Sequence, residues 1–178
     1  EPQNELLKCL FFIKNKISKI EIDIEEYALG PKKETREIKI NSLSSTSTLA
    51  KINTKSSWLK FKNILIIKNY KNVIVKKTVL VETLDNLVEK HNIKIIDLLK
   101  IDTEGFEYEV LQGAKKSLKF KKIKAIMIEK QLSNMYLNYN FKKVEKILEK
   151  NGFLLKNKFR LGAANNAIAS NTVPVGNY

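Results

Sequence analysis

The spacing of apolar positions divides the chain into short elements. Over Leu6–Ile17 they fall at 6, 7, 10, 11, 13 and 17, which predicts a helix of about three turns with one face on a core. Ile20-Glu21-Ile22-Asp23-Ile24 alternates with period two and predicts a strand running on to Ala28-Leu29, closed by a turn at Gly30-Pro31-Lys32-Lys33. Arg36–Ile40 alternates again, and the Ser/Thr/Asn-rich stretch from Asn41 to Ser57 reads as a loop. Trp58–Tyr70 fits a helix through Trp58, Leu59, Phe61, Ile64 and Leu65, or a strand over Ile64–Ile67. Val73–Glu82 alternates and is β-branched, which predicts a strand.

The second half is more regular. Thr83 stands as N-cap before a helix over Leu84–Lys90, with Asp85 in its first turn, where the helix dipole favours an acid. Ile95–Ile101 is nearly continuous apolar sequence, the pattern of a parallel strand covered on both faces. Phe106, Val110, Leu111, Ala114 and Leu118 recur at helical spacing. Ile123–Ile128 is a second buried strand, and Phe141, Val144, Ile147 and Leu148 line a helix that Asn151-Gly152 ends. Phe153-Leu154-Leu155 and Ala167-Ile168-Ala169 are short final strands. Alternating helices and strands of this kind imply an α/β fold, a parallel sheet with helices on both faces.

Composition narrows the classes. A chain of 178 residues, 43% apolar and 29% charged, suits one globular domain. A single cysteine, Cys9, excludes an internal disulfide and a multi-cysteine zinc site, and its apolar neighbours place it in a core. No apolar run approaches the ~18 residues of a membrane span. The polar opening Glu1-Pro2-Gln3-Asn4-Glu5 lacks the charged-then-apolar pattern of a signal peptide, which points to the cytoplasm. An opening on Glu-Pro without Met also implies a processed chain or a piece of a longer one. The net charge of +14 invites a nucleic-acid reading. Yet only Arg36 and Arg160 of the 33 basic residues are arginine, and the lysines are dispersed. Arginine's planar fork does most base reading and bidentate phosphate gripping. Together with abundant Ile and Asn, the lysines read as A/T-rich coding on a solvated surface.

In open α/β sheets ligands bind beyond the carboxyl ends of the strands. Asp102 follows the strand that closes at Ile101, Glu104 comes two residues later, and Glu129 follows the strand that closes at Ile128. Glu1 joins them if the chain begins where a strand stops. Each acid has a plainer alternative as a helix N-cap or first-turn residue. Gly105 permits a sharp turn from Asp102-Thr103-Glu104 into the next helix. An Asp102–Glu129 pair that holds a divalent metal lacks a defined third ligand, so no metal is expected. His91 lies in the helix-to-strand connection His91-Asn92, at the opposite end of the sheet, and reads as a loop residue. Trp58 and Tyr70 flank either a substrate lid or plain packing.

Leu98-Leu99-Lys100-Ile101-Asp102-Thr103-Glu104-Gly105-Phe106-Glu107, followed by Val110-Leu111-Gln112-Gly113-Ala114, resembles the signature of FkbM-type methyltransferases. Thr83-Leu84-Asp85 matches the opening of the preceding family helix, and Ala28-Leu29-Gly30, Ser44–Leu49 and Glu1-Pro2 resemble further family segments. The resemblance implies a Rossmann-like class I methyltransferase that moves a methyl group from S-adenosylmethionine to a hydroxyl of a small molecule or glycan. It implies an incomplete one, with the first strand and Gly-rich loop missing and the second strand nearly so, because no Gly-x-Gly occurs. One partial domain would then span 1–178, with inserted strands and loop at 36–82 and the C-terminal half of the sheet at 83–178. Glu1 would grip the ribose hydroxyls of the cofactor, since a carboxylate accepts hydrogen bonds from both. Tyr27 and Ala28 would lie near the adenine. Asp102 would face the reacting groups, with Glu104 or Glu129 positioning the acceptor.

The family's strand order, 3-2-1-4-5-7-6 with strand 7 antiparallel, carries a structural expectation. Strand 3 is Ile20–Ala28 and strand 4 is Ile95–Ile101. Strands 4, 5, 7 and 6 then form a contiguous sheet, while the inner edge of strand 4 keeps unpaired backbone groups. Two rival readings stand beside the enzyme: a basic nucleic-acid-binding domain or RNA methyltransferase, and a catalytically silent fragment.

Overall fold

The computed structural model describes residues 21–41, 47–53, 55–56, 74–131, 136–161 and 164–171. The helix expected at Leu6–Ile17, Cys9, Glu1 and the segment Trp58–Tyr70 lie outside them. The architecture is mixed α/β. Its elements in chain order are β1 (Ala28–Leu29), β2 (Glu34–Asn41), β3 (Ser47–Thr48), β4 (Ile74–Glu82), α1 (Leu84–Lys90), β5 (Ile96–Ile101), α2 (Glu107–Gln112), α3 (Lys115–Lys119), β6 (Ile123–Lys130), α4 (Phe141–Lys150), β7 (Phe153–Leu161) and β8 (Ala164–Asn171).

Among the described residues two four-stranded sheets form. The first has the order β1-β4-β2-β3, with β2 antiparallel to β4 from Glu34–Val81 to Asn41–Ile74 and β1 parallel to the end of β4. The second has the order β5-β6-β8-β7. Here β5 and β6 are parallel, and β8 runs antiparallel between β6 and β7. This is the contiguous 4-5-7-6 arrangement expected from the sequence. A core of Leu84, Val88, Ile101, Phe106, Val110, Leu111, Ala114, Leu118, Ile126, Ile128, Val144 and Phe153 joins the four helices to β5 and β6.

Four expectations need correction. The alternation at Ile20–Ala28 yields a strand only at Ala28–Leu29: residues 21–27 have no ladder among the described residues, and Ile24 is half exposed. The apolar run of β5 is not covered on both faces. Leu98 is 55% exposed, because β5 stands at the margin of its sheet with β6 as its one described ladder partner. The helical pattern from Phe106 to Leu118 breaks into α2 and α3 at Gly113-Ala114. A Cβ at Gly113 would run into the Gly30 carbonyl oxygen, so chain segments meet at the break backbone to backbone. Finally, the loop expected from Asn41 to Ser57 contains β3, which pairs with β2.

The caps are local chemistry. Thr83 accepts a hydrogen bond from the Asn86 amide, as its N-cap position predicts. Asp85 reaches away from its own helix instead. Its carboxylate accepts from the Lys116 and Ser117 amides, both at 2.8 Å, and from the Ser117 hydroxyl at 2.7 Å, so it caps α3. Asn140 caps α4 through the Lys142 amide, and Gly152, at φ 80°, turns the chain into β7.

Candidate active site

The register of the parallel pair sets the site. Ile101 of β5 lies opposite Ile128 of β6, and that step-for-step pairing extends back through Leu98 and Ala125. Asp102 and Glu129, the next residue on each strand, are therefore neighbours. Because side chains alternate across a strand, equal steps from a matched pair leave both on one side. Their carboxyls are within hydrogen-bonding reach of each other. Asp102 stands just past the end of β5, as expected, whereas Glu129 is still inside β6, which continues to Lys130.

Two carboxyls this close cannot both carry full charge. Burial, the hydrogen bond with Asp102 and the charge of Asp102 push Glu129 up to about 7. Burial would raise Asp102 as well, but the Lys100 ammonium and the Glu129 hydrogen bond outweigh it and hold Asp102 below its ordinary value. Lys100 Nζ lies 2.7 Å from Asp102 Oδ2. Charge on Asp102 therefore disfavours charge on Glu129.

Glu104 belongs to the same neighbourhood, since its charge also raises Glu129. Its backbone is left-handed, φ 52°, and Gly105 follows at φ 94°. A non-glycine residue there costs about 1–2 kcal/mol, so neighbours must hold it. Thr48 donates its hydroxyl to the Glu104 carbonyl at 2.8 Å, and Tyr136 donates its phenol to Glu104 Oε2 at 2.6 Å. The Tyr136 ring also fills the space that a Cβ on Gly105 would need. Burial and the Glu104 carboxylate raise the Tyr136 phenol well above its ordinary value, so it stays a donor.

Beneath the loop lies Glu107, which is wholly buried. Its Oε1 accepts from the Thr103 amide (3.4 Å), the Thr103 hydroxyl (3.2 Å) and the Gly105 amide (3.0 Å), while Oε2 has no partner. Burial raises its pKa against the pull of those donors.

The expected site residues thus fall into separate places. Asp102, Glu104 and Glu129 come together. Tyr27 and Ala28 do not join them: Ala28 is in β1, and Tyr27 lies under the Lys90 ammonium in a different cavity with Lys33, Glu82 and Asn86. His91 caps α1 and contacts Glu25, away from the acids. Sequence reasoning missed four participants. Lys100 was available, two residues before Asp102 on the same strand. Glu107 was in the quoted motif but carried no role. Thr48 and Tyr136 had no signal, because both reach Glu104 through tertiary packing.

The model of the family described as "Methyltransferase FkbM domain" matches residues 1–155. The chain belongs to the FkbM methyltransferase family. No curated protein and no solved structure matches it. A methyltransferase needs a methyl donor; of the residues expected to hold it, Glu1 lies outside the described residues and Tyr27 lines the cavity with Lys33, Glu82 and Asn86. Among the described residues no helix is long and apolar enough to cross a membrane.

Proposed function

We propose that this methyltransferase transfers a methyl group from S-adenosylmethionine to a hydroxyl oxygen of a small molecule or glycan, with Asp102, Glu104 and Glu129 on the acceptor side. The observation that carries the reading is the juxtaposition of Asp102 and Glu129, each one residue beyond the matched pair Ile101–Ile128 of adjacent parallel strands. S-adenosylmethionine supplies an electrophilic methyl carbon on a sulfonium. The residues of this chain orient the acceptor and take its proton. Once ionised, Glu129 removes the hydroxyl proton, and its pKa of about 7 suits a general base near neutrality. Asp102, kept anionic by Lys100, accepts a hydrogen bond that fixes the hydroxyl. Orientation of this kind supplies most of the acceleration in such a displacement. Glu104, aimed by Tyr136, supplies a further acceptor for a neighbouring hydroxyl.

In this reading β5, β6, β8 and β7 are half of a Rossmann-like sheet, and residues 36–82 are a hairpin insertion before it. The test is labelled methyl transfer by the full-length protein to a panel of sugars and sugar nucleotides, beside calorimetric titration of the cofactor. Glu129→Gln is expected to lower turnover about 100-fold or more and leave cofactor affinity unchanged. Turnover at the wild-type rate would remove Glu129 from the reaction. Failure to bind cofactor at all would favour the silent-fragment reading.

A further inference from the structure

A second cavity, of about 250 Å³, opens beside the acidic loop and shares Gly105 with it. Three cations, Arg36, Lys51 and Lys143, and three rings, Phe106, Tyr108 and Tyr139, line it. One carboxylate, Glu109, opposes the cations, which leaves a local excess of two positive charges (three minus one). Among the described residues neither Lys51 nor Lys143 has an ion-pair partner. Arg36 is only loosely engaged, 3.8 Å from Glu34 and 5.1 Å above the Phe106 ring. Lys143 lies over the Tyr108 ring at 5.5 Å.

Unneutralised cations on aromatic walls are arranged for an anion carried on a flat or ring-shaped body. The volume is below the ~300–1,000 Å³ of sites that enclose a whole drug-sized ligand. It suits one end of an acceptor. Gly105, in the lining of the cavity, is three residues from Asp102, at most about 10 Å along the chain. The geometry points to an acceptor with an anionic group, carboxylate or phosphate, seated between Arg36, Lys51 and Lys143 while its hydroxyl meets the Asp102–Glu129 pair. This inference rests on the reading of that pair as the acceptor site.

Binding tests it without turnover. Full-length protein is titrated with glucuronate, inorganic phosphate, neutral glucose and a short RNA, and amide chemical shifts are followed. Glucuronate and phosphate should move the resonances of Lys51, Gly105 and Lys143, and glucose should not. Shifts from glucuronate that exceed those from phosphate identify a carboxylate on a ring as the preferred source, and the reverse identifies a phosphate. The exposed double variant Lys51→Gln/Lys143→Gln should weaken both about tenfold or more. Equal binding of glucose and glucuronate, or no effect of the double variant, overturns the inference. So does RNA binding that spreads over the surface and displaces both anions. Anion binding at these residues without methyl transfer to any acidic acceptor would keep the cavity's assignment and refute the proposed reaction, so the two failures are distinguishable.

Discussion

Glu129 and Glu107 are both carboxyls raised by burial, yet different changes expose their roles. For Glu129 the rise runs from 4.5 to about 7. The folded state therefore binds that proton more tightly than the unfolded state. Its contribution to stability is complete below about pH 4.5 and is lost as pH climbs through about 7. Thermal melts at matched ionic strength should show wild type losing stability across that window, and Glu129→Gln losing less. Activity should run the opposite way, rising toward a plateau above about 7 in wild type and staying flat in the variant. Because Asp102 is coupled to it, the observed midpoint belongs to the pair. Asp102→Asn should lower turnover far more than cofactor affinity, which titration and a turnover assay separate. Glu107 has a different test. Glu107→Gln keeps the Oε1 acceptor for Thr103 and Gly105 and removes a buried ionisable group, so its melting point should stay near wild type. Glu107→Ala strands those donors and opens a cavity, at about 2–4 kcal/mol in denaturant unfolding. Equal losses in both variants would mean that Glu107 does not hold the loop through its acceptor. The sequence marked the acids but not which of them face each other or which is paired with a cation, which depends on the Ile101–Ile128 register and on Lys100.

Among the elements, two motifs that are separate in sequence turn out to be one contact. Asp85 of Thr83-Leu84-Asp85 caps α3, and its own amide donates to the carbonyl of Gly113 at 3.0 Å. Gly113 in turn abuts Gly30. A helix opening, a helix break and the end of β1 thus lock one another. Asp85→Ala should cost about 1–3 kcal/mol, since it leaves the buried Ser117 hydroxyl and two amides without their acceptor. Gly113→Ala should cost more, because the Gly30 backbone must shift. Chemical unfolding of both variants checks the order, and a neutral Gly113→Ala would contradict the close approach. Periodicity sufficed for β2, β4, α1, β6 and α4, where flanking polar residues mark the ends. It failed over 106–118, where helical spacing continues through a break at Gly113-Ala114, beside the Gly30 backbone. It failed too at residues 21–27, where alternation finds no partner strand among the described residues. Nothing local distinguishes either case.

At the scale of the whole molecule, the decisive feature is the margin of the second sheet. Leu98 on β5 is 55% exposed and Ile95 just before it 47%. The apolar run of β5 has the sequence of a central strand and the surroundings of a marginal one. Natural edge strands are usually blunted by charge, proline or a bulge, and one that is not recruits other chains. Lys100 and Asp97 are the charges on β5, and each is tied in an ion pair, with Asp102 and Lys124. The 178-residue chain on its own should therefore associate at micromolar concentration and bind a hydrophobic dye. Leu98→Lys should reduce both, with little loss of stability because the side chain is already half in water. Sedimentation velocity over a concentration series decides it. A wild-type chain that stays monomeric and dye-free would mean that this margin is covered in solution, and the expectation drawn from the exposed β5 would fall.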